Sequence, residues 1–306
     1  MLSGTVMSII SPDESKAQSA ASLIAKLNDR GPLLMYYKKL EESLLLSVIV
    51  PTEYPASIIN SAAAVSLSDV VVVLTGYEID WRDGELLTLA DASGAQKTDV
   101  YSESGNLVKE LISKSGIKAS VAETLDAQSL LDLAKDHRSD DEGYVFVDRA
   151  FTVKGVGPVV LGYTKTKVYV HDKLLAVPIM KWVEVKSIEV LDEEQDSVGP
   201  GVRIGFALKG AEAEELKDVY ALVKDQSSVV TQLSGTATIY PWADMQTQQV
   251  HIIGGGSAVV SQISRSNEKV EVKLSKPMPK LKRYLILNVN ARPKRSRVAG
   301  YLVSED

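Results

Sequence analysis

Apolar positions along the first 140 residues switch between two spacings. Unbroken apolar runs at Val6–Ile10, Leu44–Val50 and Val70–Leu74 predict strands buried on both faces. Between them apolar residues recur at helical intervals. Ala20, Ala21, Leu23, Ile24 and Leu27 predict a helix over Ser15–Leu27. The same spacing predicts helices over Ala56–Leu67, Gly84–Ala92, Leu107–Ser113 and Ala127–Lys135, with short strands at Thr98–Tyr101 and Ala119–Ala122. Strands alternating with helices imply a mostly parallel sheet covered on both faces.

The polar stretch Asp136–Gly143 has no periodicity and reads as a linker. Beyond it the pattern becomes short β-rich runs separated by turn residues. Tyr144–Val147, Val159–Tyr163, Lys167–Val170, Val183–Val190 and Val202–Leu208 predict one small barrel. A second β unit begins near Ser227, with runs at Ala237–Tyr240, Gln249–Ile253, Ala258–Ile263, Lys269–Leu274, Tyr284–Val289 and Val298–Leu302. Gly254, Gly255 and Gly256 sit between two of these runs. No helix follows them to offer a dipole to an anion, so they read as a hairpin link.

Composition narrows the chemistry. The 306 residues are 45% hydrophobic and only 6% aromatic, so the cores must be aliphatic. Absence of cysteine excludes disulfides, thiol nucleophiles and cysteine metal sites. His137, His171 and His251 are scattered without ligand spacing, so no metal site is expected. No apolar run is long enough to cross a bilayer, and Asp13, Glu14 and Lys16 interrupt the first one, so a cytoplasmic protein without membrane contact is expected. The net charge of −6 is uneven: residues 1–143 carry −10, residues 144–226 carry −2 and residues 227–306 carry +6. Phosphate contact is therefore expected from the C-terminal part.

The strongest local signal is Asp148-Arg149-Ala150-Phe151-Thr152-Val153-Lys154-Gly155-Val156-Gly157-Pro158-Val159-Val160-Leu161-Gly162. Phe151 and Val153 alternate inward, Gly155 and Gly157 permit a tight turn, and Val159–Leu161 returns as the paired strand. This stretch resembles the opening of domain 2 in translational GTPases of the elongation factor Tu type, and most of all the archaeal selenocysteine-specific branch. Asp172-Lys173-Leu174, Val185-Lys186-Ser187-Ile188, Gly199-Pro200-Gly201-Val202-Arg203-Ile204-Gly205, Leu208-Lys209-Gly210 and Glu214-Glu215-Leu216-Lys217 resemble later segments of the same domain, in order. Arg283–Leu287 and Arg297–Tyr301 resemble the last strands of domain 3. The resemblance implies an α/β plus all-β fold, a P-loop-GTPase-like doubly wound domain followed by two small β-barrels. The expected boundaries are 1–139, 144–226 and 227–306.

The chemistry of the first domain departs from that family. A P-loop needs glycines whose amides wrap the phosphates, a lysine, and a hydroxyl for magnesium. The matching stretch is Ile10-Ser11-Pro12-Asp13-Glu14-Ser15-Lys16-Ala17, which keeps only Lys16. Val50-Pro51-Thr52-Glu53-Tyr54 retains nothing of the family's Asp-x-x-Gly-His. Gln96-Lys97-Thr98-Asp99 is similar to Asn-Lys-x-Asp but opens a strand where the family's motif follows one. A degenerate GTPase domain is expected, with no cofactor and no enzymatic activity.

The resemblance also places candidate binding residues. Asp148, Arg149 and Arg203 fall where domain 2 of the family holds the aminoacyl end of tRNA. Asp148 suits an α-amino group, while Arg149 and Arg203 suit an anion bidentately. The plainer reading of Asp148–Arg149 is a local ion pair. Two basic clusters, Lys276, Lys280, Lys282 and Arg283, then Arg292, Lys294, Arg295 and Arg297, are candidates for the RNA backbone. Trp182 and Trp242 suit either base stacking or packing. The expected function is an elongation-factor-like regulator binding tRNA and/or the ribosome, with translation-factor proteins as further partners and no DNA. The alternative is a protein-interaction scaffold using the acidic front domain.

Overall fold

The unbroken run at Leu44 becomes a strand buried along its whole length, and a sheet is built around it. The structure is a computed structural model that describes residues 1–122, 124–245, 248–266 and 269–305. The front layer runs β1 (Ser3–Ile10), α1 (Glu14–Ile24), β2 (Lys26–Asp29), β3 (Leu33–Glu41), β4 (Leu44–Pro51), α2 (Ile59–Leu67) and β5 (Val70–Leu74). It continues through α3 (Trp81–Ser93), β6 (Lys97–Tyr101), α4 (Gly105–Ser115), β7 (Ser120–Ala122) and α5 (Ala127–Asp136).

These strands form one sheet in the order β2-β3-β4-β1-β5-β6-β7. The β1, β4, β5, β6 and β7 pairings are parallel, and β2 and β3 add an antiparallel edge. Helices α1 and α5 cover one face, packing Ala17, Ala20, Ile24, Leu130 and Ala134 on Met7, Leu46 and Val72. Helices α2, α3 and α4 cover the other. Several bounds differ from the periodicity, α3 and α4 running longer at both ends than Gly84–Ala92 and Leu107–Ser113. Helix α1 ends at Ile24, because Ala25 turns extended and Lys26 starts the edge hairpin. Helix α2 starts at Ile59, later than Ala56.

The first barrel comprises β8 (Tyr144–Val153), β9 (Gly157–Lys165), β10 (Val168–Tyr169), β11 (Lys173–Val177), β12 (Lys181–Val190), β13 (Glu193–Gln195), β14 (Ser197–Val198), β15 (Val202–Lys209), the single turn α6 (Ala213–Leu216) and β16 (Ala221–Val223). Its sheet runs β11-β16-β8-β9-β15-β12-β13, and the β11–β12 pairing joins the ring. The tip of the β8–β9 hairpin projects beyond that ring. Phe151, expected inward, is therefore exposed.

The second barrel comprises β17 (Val229–Ile239), β18 (Gln249–Gly254), β19 (Ser257–Ser266), β20 (Lys269–Pro279), β21 (Arg283–Leu287) and β22 (Val298–Ser304). It closes as β17-β20-β19-β18-β21-β22. Among the described residues no helix is long and apolar enough to cross a membrane.

One apolar cluster crosses all three parts. It joins Val6, Met35 and Ile49 of the front sheet, Tyr144, Phe146 and Tyr163 of the first barrel, and Ile252, Val259 and Ile286 of the second. The triple glycine works at this junction. Gly255 and Gly256 turn the β18–β19 hairpin with φ of 57° and 82°. A Cβ on Gly255 would meet the Tyr144 ring at 2.8 Å, and one on Gly256 would meet Phe146 at 2.6 Å. Only glycine gives both the left-handed turn and the close approach. Gly4 of β1 and Gly201 of the first barrel make a similar contact, where a Cβ on Gly4 would lie 2.2 Å from the Gly201 carbonyl oxygen.

Candidate functional site

Asp148, Arg149 and Arg203 come together, and the front sheet adds a fourth member. A β-bulge in β8 between Val147 and Arg149 places Asp148 out of regular register. Arg203 lies on β15 opposite Tyr163 of β9. The Arg203 Nη2 donates to Asp148 Oδ2 at 2.7 Å and to Asp29 Oδ2 at 3.2 Å. Arg149 Nη2 reaches the same Asp29 oxygen at 2.8 Å, and its Nε lies 3.5 Å from Asp148 Oδ2. Two carboxylates thus alternate with two guanidiniums across the seam between β2 and the first barrel.

Arg203 is the buried member, with its side chain 9% exposed. Burial opposes its charge, but Tyr163, Asp148 and Asp29 outweigh that and raise its pKa. Its guanidinium lies 5.3 Å from the Tyr163 ring centre. Its Nη1 is buried and has no hydrogen-bond partner. An unpaired buried donor is costly and calls for an acceptor. Arg203 also lines a cavity of about 490 Å³ bounded by Lys26, Asp29 and Tyr37 from the edge hairpin and Leu161 and Glu189 from the barrel. The arrangement can hold a small group with an anionic or carbonyl oxygen. Asp29 carries no such signal in the sequence. Its strand is four residues long with alternating partial exposure, and only the Leu-Leu-Met-Tyr start of β3 hints at a hairpin there.

The basic residues divide in two. Arg283 donates to the carbonyls of Asp91 and Ala92 at the end of α3 and lies 3.9 Å from the Tyr301 ring centre. Arg292 pairs with Asp244 at 2.9 Å, and Arg297 pairs with Glu85 at 2.6 Å. Lys276, Lys280, Lys282, Lys294 and Arg295 make no side-chain hydrogen bond or ion pair among the described residues. Lys280 and Lys282 border a cavity of about 740 Å³ whose opposite wall carries Asp69, Asp140, Asp141 and Glu142. Trp182 is exposed on β12, while Trp242 stacks on Tyr240 with ring centres 5.1 Å apart. Among the described residues no cluster of three His, Asp or Glu side chains is placed to hold a metal.

The loop after β1 carries its own anion. The Asp13 carboxylate caps α1, accepting from the Ser15 and Lys16 amides at 2.9 and 3.4 Å. The Ser15 hydroxyl first, and those amides after it, hold Asp13 below the ordinary carboxylate range. The Lys16 Nζ donates to the Thr75 carbonyl at 2.9 Å, at the carboxyl end of β5. Gln96, Lys97, Thr98 and Asp99 lie at the amino end of β6, the edge of the sheet opposite this loop.

No protein-family model matches the chain. An uncharacterized protein of Methanocaldococcus jannaschii is 27% identical over 239 residues, covering 74% of this chain and 77% of that one. The selenocysteine-specific elongation factor of the same organism is 40% identical over 94 residues, which cover 30% of this chain and 20% of that factor. Elongation factor 1-alpha of Sulfurisphaera tokodaii is 28% identical over 146 residues, covering 45% of this chain and 33% of that factor. The translation elongation factor SelB of Methanococcus maripaludis superposes with a TM-score of 0.75 at 18% identity, covering 100% of this chain and 80% of that structure. The chain resembles translational GTPases of the elongation factor Tu type, in sequence over part of its length and in fold over all of it. The matched stretches span only a fifth to a third of these elongation factors' own length.

The relatives correct one expectation. A chain without enzymatic activity was expected from the lost loop residues, but the elongation factors it resembles are GTP-hydrolysing enzymes. Similarity to elongation factors supports a translation-related role.

The loop geometry bears on any nucleotide that enters. A phosphate at the start of α1 must displace the Asp13 carboxylate from the amides it occupies. Replacing Asp13 by Ala is expected to tighten binding of a nonhydrolysable GTP analogue with magnesium by roughly tenfold, read by calorimetry. Unchanged affinity would place the phosphates elsewhere.

Proposed function

We propose that this chain is an elongation-factor-like translation protein that binds tRNA, free or on the ribosome, through the seam between front sheet and first barrel. Residues 1–139, 144–226 and 227–306 act as its three domains. The aminoacyl end enters beside Asp148, Arg149 and Arg203. Asp148 meets the α-amino group, and the two guanidiniums meet acyl or phosphate oxygens. Lys276, Lys280 and Lys282 follow the RNA backbone, where a compact ammonium contributes charge without reading bases.

The observation that carries this reading is the buried, unpaired Nη1 of Arg203, a residue that lines a cavity. Asp29 fits the same reading, as a carboxylate that holds both guanidiniums in place until an incoming oxygen replaces it.

Filter binding of aminoacylated and uncharged tRNA over a salt series tests it. Affinity is expected to fall steeply with salt, since phosphate contacts release counterions. Substituting Arg203 by Met is expected to weaken aminoacylated tRNA by about tenfold while changing uncharged tRNA less. Replacing Lys276, Lys280 and Lys282 together is expected to flatten the salt slope by roughly two to three, about one for each phosphate deprived of its lysine. No binding at low salt would end the proposal.

A further inference from the structure

A second surface lies apart from the pocket of Asp148 and Arg203. Helices α3 and α4 and the loop between β21 and β22 enclose a groove of about 260 Å³. Its walls are aliphatic, from Leu87, Leu111 and Ile117, and Trp81 and Trp242 flank them. Leu111 is 38% exposed, and Leu107 one turn before it is 48% exposed, so the apolar surface continues along α4. Lys294 and Arg295 stand at the rim. Their neighbours Arg292 and Arg297 are held by Asp244 and Glu85. Lys294 sits at φ 62°, a left-handed turn that is uncommon for a side chain of this size.

We propose that this groove docks an acidic peptide segment of another protein, with a bulky apolar anchor between the aliphatic walls and flanking carboxylates on Lys294 and Arg295. This surface goes beyond the tRNA reading and shares none of the residues assigned to it there. Charge complementarity chooses the partner. The chain is net −6, yet the rim of its apolar groove carries two cations that make no ion pair or side-chain hydrogen bond among the described residues, with Arg295 near enough to Asp244 to help hold that carboxyl low. Glu85, the one carboxylate on the wall among the described residues, is already held by Arg297. An unpaired nucleobase fits worse. Its hydrogen-bonding edges would be stripped of water against Leu87, Leu111 and Ile117. One face of the Trp242 indole is also covered by Tyr240. An apolar side chain loses nothing there, and burial of aromatic and aliphatic anchors is what sustains helix-in-groove recognition.

A random peptide library displayed on phage and selected on the full chain tests this, with binding of the enriched peptides read by tryptophan fluorescence. Two of the three tryptophans lie in the groove, so its occupation shifts their emission. The expected result is enrichment of sequences with a Leu, Phe or Trp anchor flanked by Asp or Glu. Lys294→Glu with Arg295→Glu, both at exposed positions, is expected to weaken them about tenfold. Leu111→Asp is expected to do the same by blocking the anchor. Four outcomes would each overturn the proposal: no enrichment, enriched peptides without acidic residues, indifference to the variants, or displacement of the peptides by poly(U). Self-association of the chain that Leu111→Asp abolishes would also overturn it, assigning the groove to a second copy.

Discussion

Replacing Arg297 by methionine is expected to lower stability by about 3–5 kcal/mol, the usual consequence of stripping one partner from a buried ion pair. The Glu85 side chain is fully buried, and Arg297 meets it with Nη2 to Oε2 at 2.6 Å and Nε to Oε1 at 3.0 Å. Its Nη1 donates to the Pro55 carbonyl at 2.8 Å. Burial opposes the guanidinium charge, and Glu85 and Tyr54 more than offset it, raising its pKa. Without the guanidinium, Glu85 keeps only the Arg297 amide at 2.6 Å and the Tyr54 hydroxyl at 3.0 Å. Those two donors do not neutralise a buried carboxylate. The double change Glu85→Leu with Arg297→Met removes the stranded charge and is expected to recover most of the loss. Urea unfolding of the single and double variants checks both statements. An Arg297 variant as stable as the parent would show that water reaches Glu85. The pair also joins α3 to the second barrel, so its loss is expected to expose the interdomain seam to proteolysis.

That pair shows where the sequence was and was not legible. Leu44–Val50 and Val70–Leu74 could be read as strands because burial on both faces leaves an unbroken apolar run. The β8–β9 hairpin could be read from Gly155 and Gly157, whose φ of 83° and 109° few other residues adopt. Edge strands β2 and β3 leave no such run. Their outer face is wet, Gly31 and Pro32 interrupt them, and Tyr37-Lys38-Lys39 breaks the apolar stretch. Asp29 was lost with them, and with it the front-sheet half of the candidate pocket. The fate of the arginines was invisible for another reason. Glu85 occupies a helix position that reads as solvent-facing, yet its partner comes from the far end of the chain. Pattern reports which residues are polar; it does not report which polar residue a distant loop will cover. Arg283 and Arg297 therefore read as free cations, although they pin the second barrel to α3.

The same seams predict how the protein responds to base. Burial raises the Tyr101 and Tyr220 hydroxyls to about 12 and pushes Tyr144, Tyr163 and Tyr240 higher still. Lys165, buried between Asp69 at 2.9 Å and Glu142 at 3.1 Å, is also raised, since those carboxylates outweigh the burial that opposes its charge. The sign follows from proton counting. Above pH ~10 an unfolded tyrosine releases its proton while the buried one keeps it, so the unfolded state binds fewer protons and stability falls as pH rises. Lysine acts in the same direction, above its ordinary value of ~10.4. Each fully shifted group contributes about 1.4 kcal/mol per pH unit. Tyr101, Tyr144, Tyr163, Tyr240 and Lys165 are all nearly inaccessible to solvent, so their slopes add. On the acid side burial lowers the His251 pKa, so the unfolded state binds more protons and stability falls as pH drops below ~6.5. Carboxyls held low at the surface, among them Asp13, Asp126 and Asp225, contribute little. Stability is therefore expected to be nearly flat from pH ~7 to ~9 and to collapse cooperatively between pH ~10 and ~12, with tyrosinate absorbance appearing in the same step as loss of circular dichroism. Tyrosinate that forms gradually near pH ~10 with the fold intact would show that water reaches these hydroxyls.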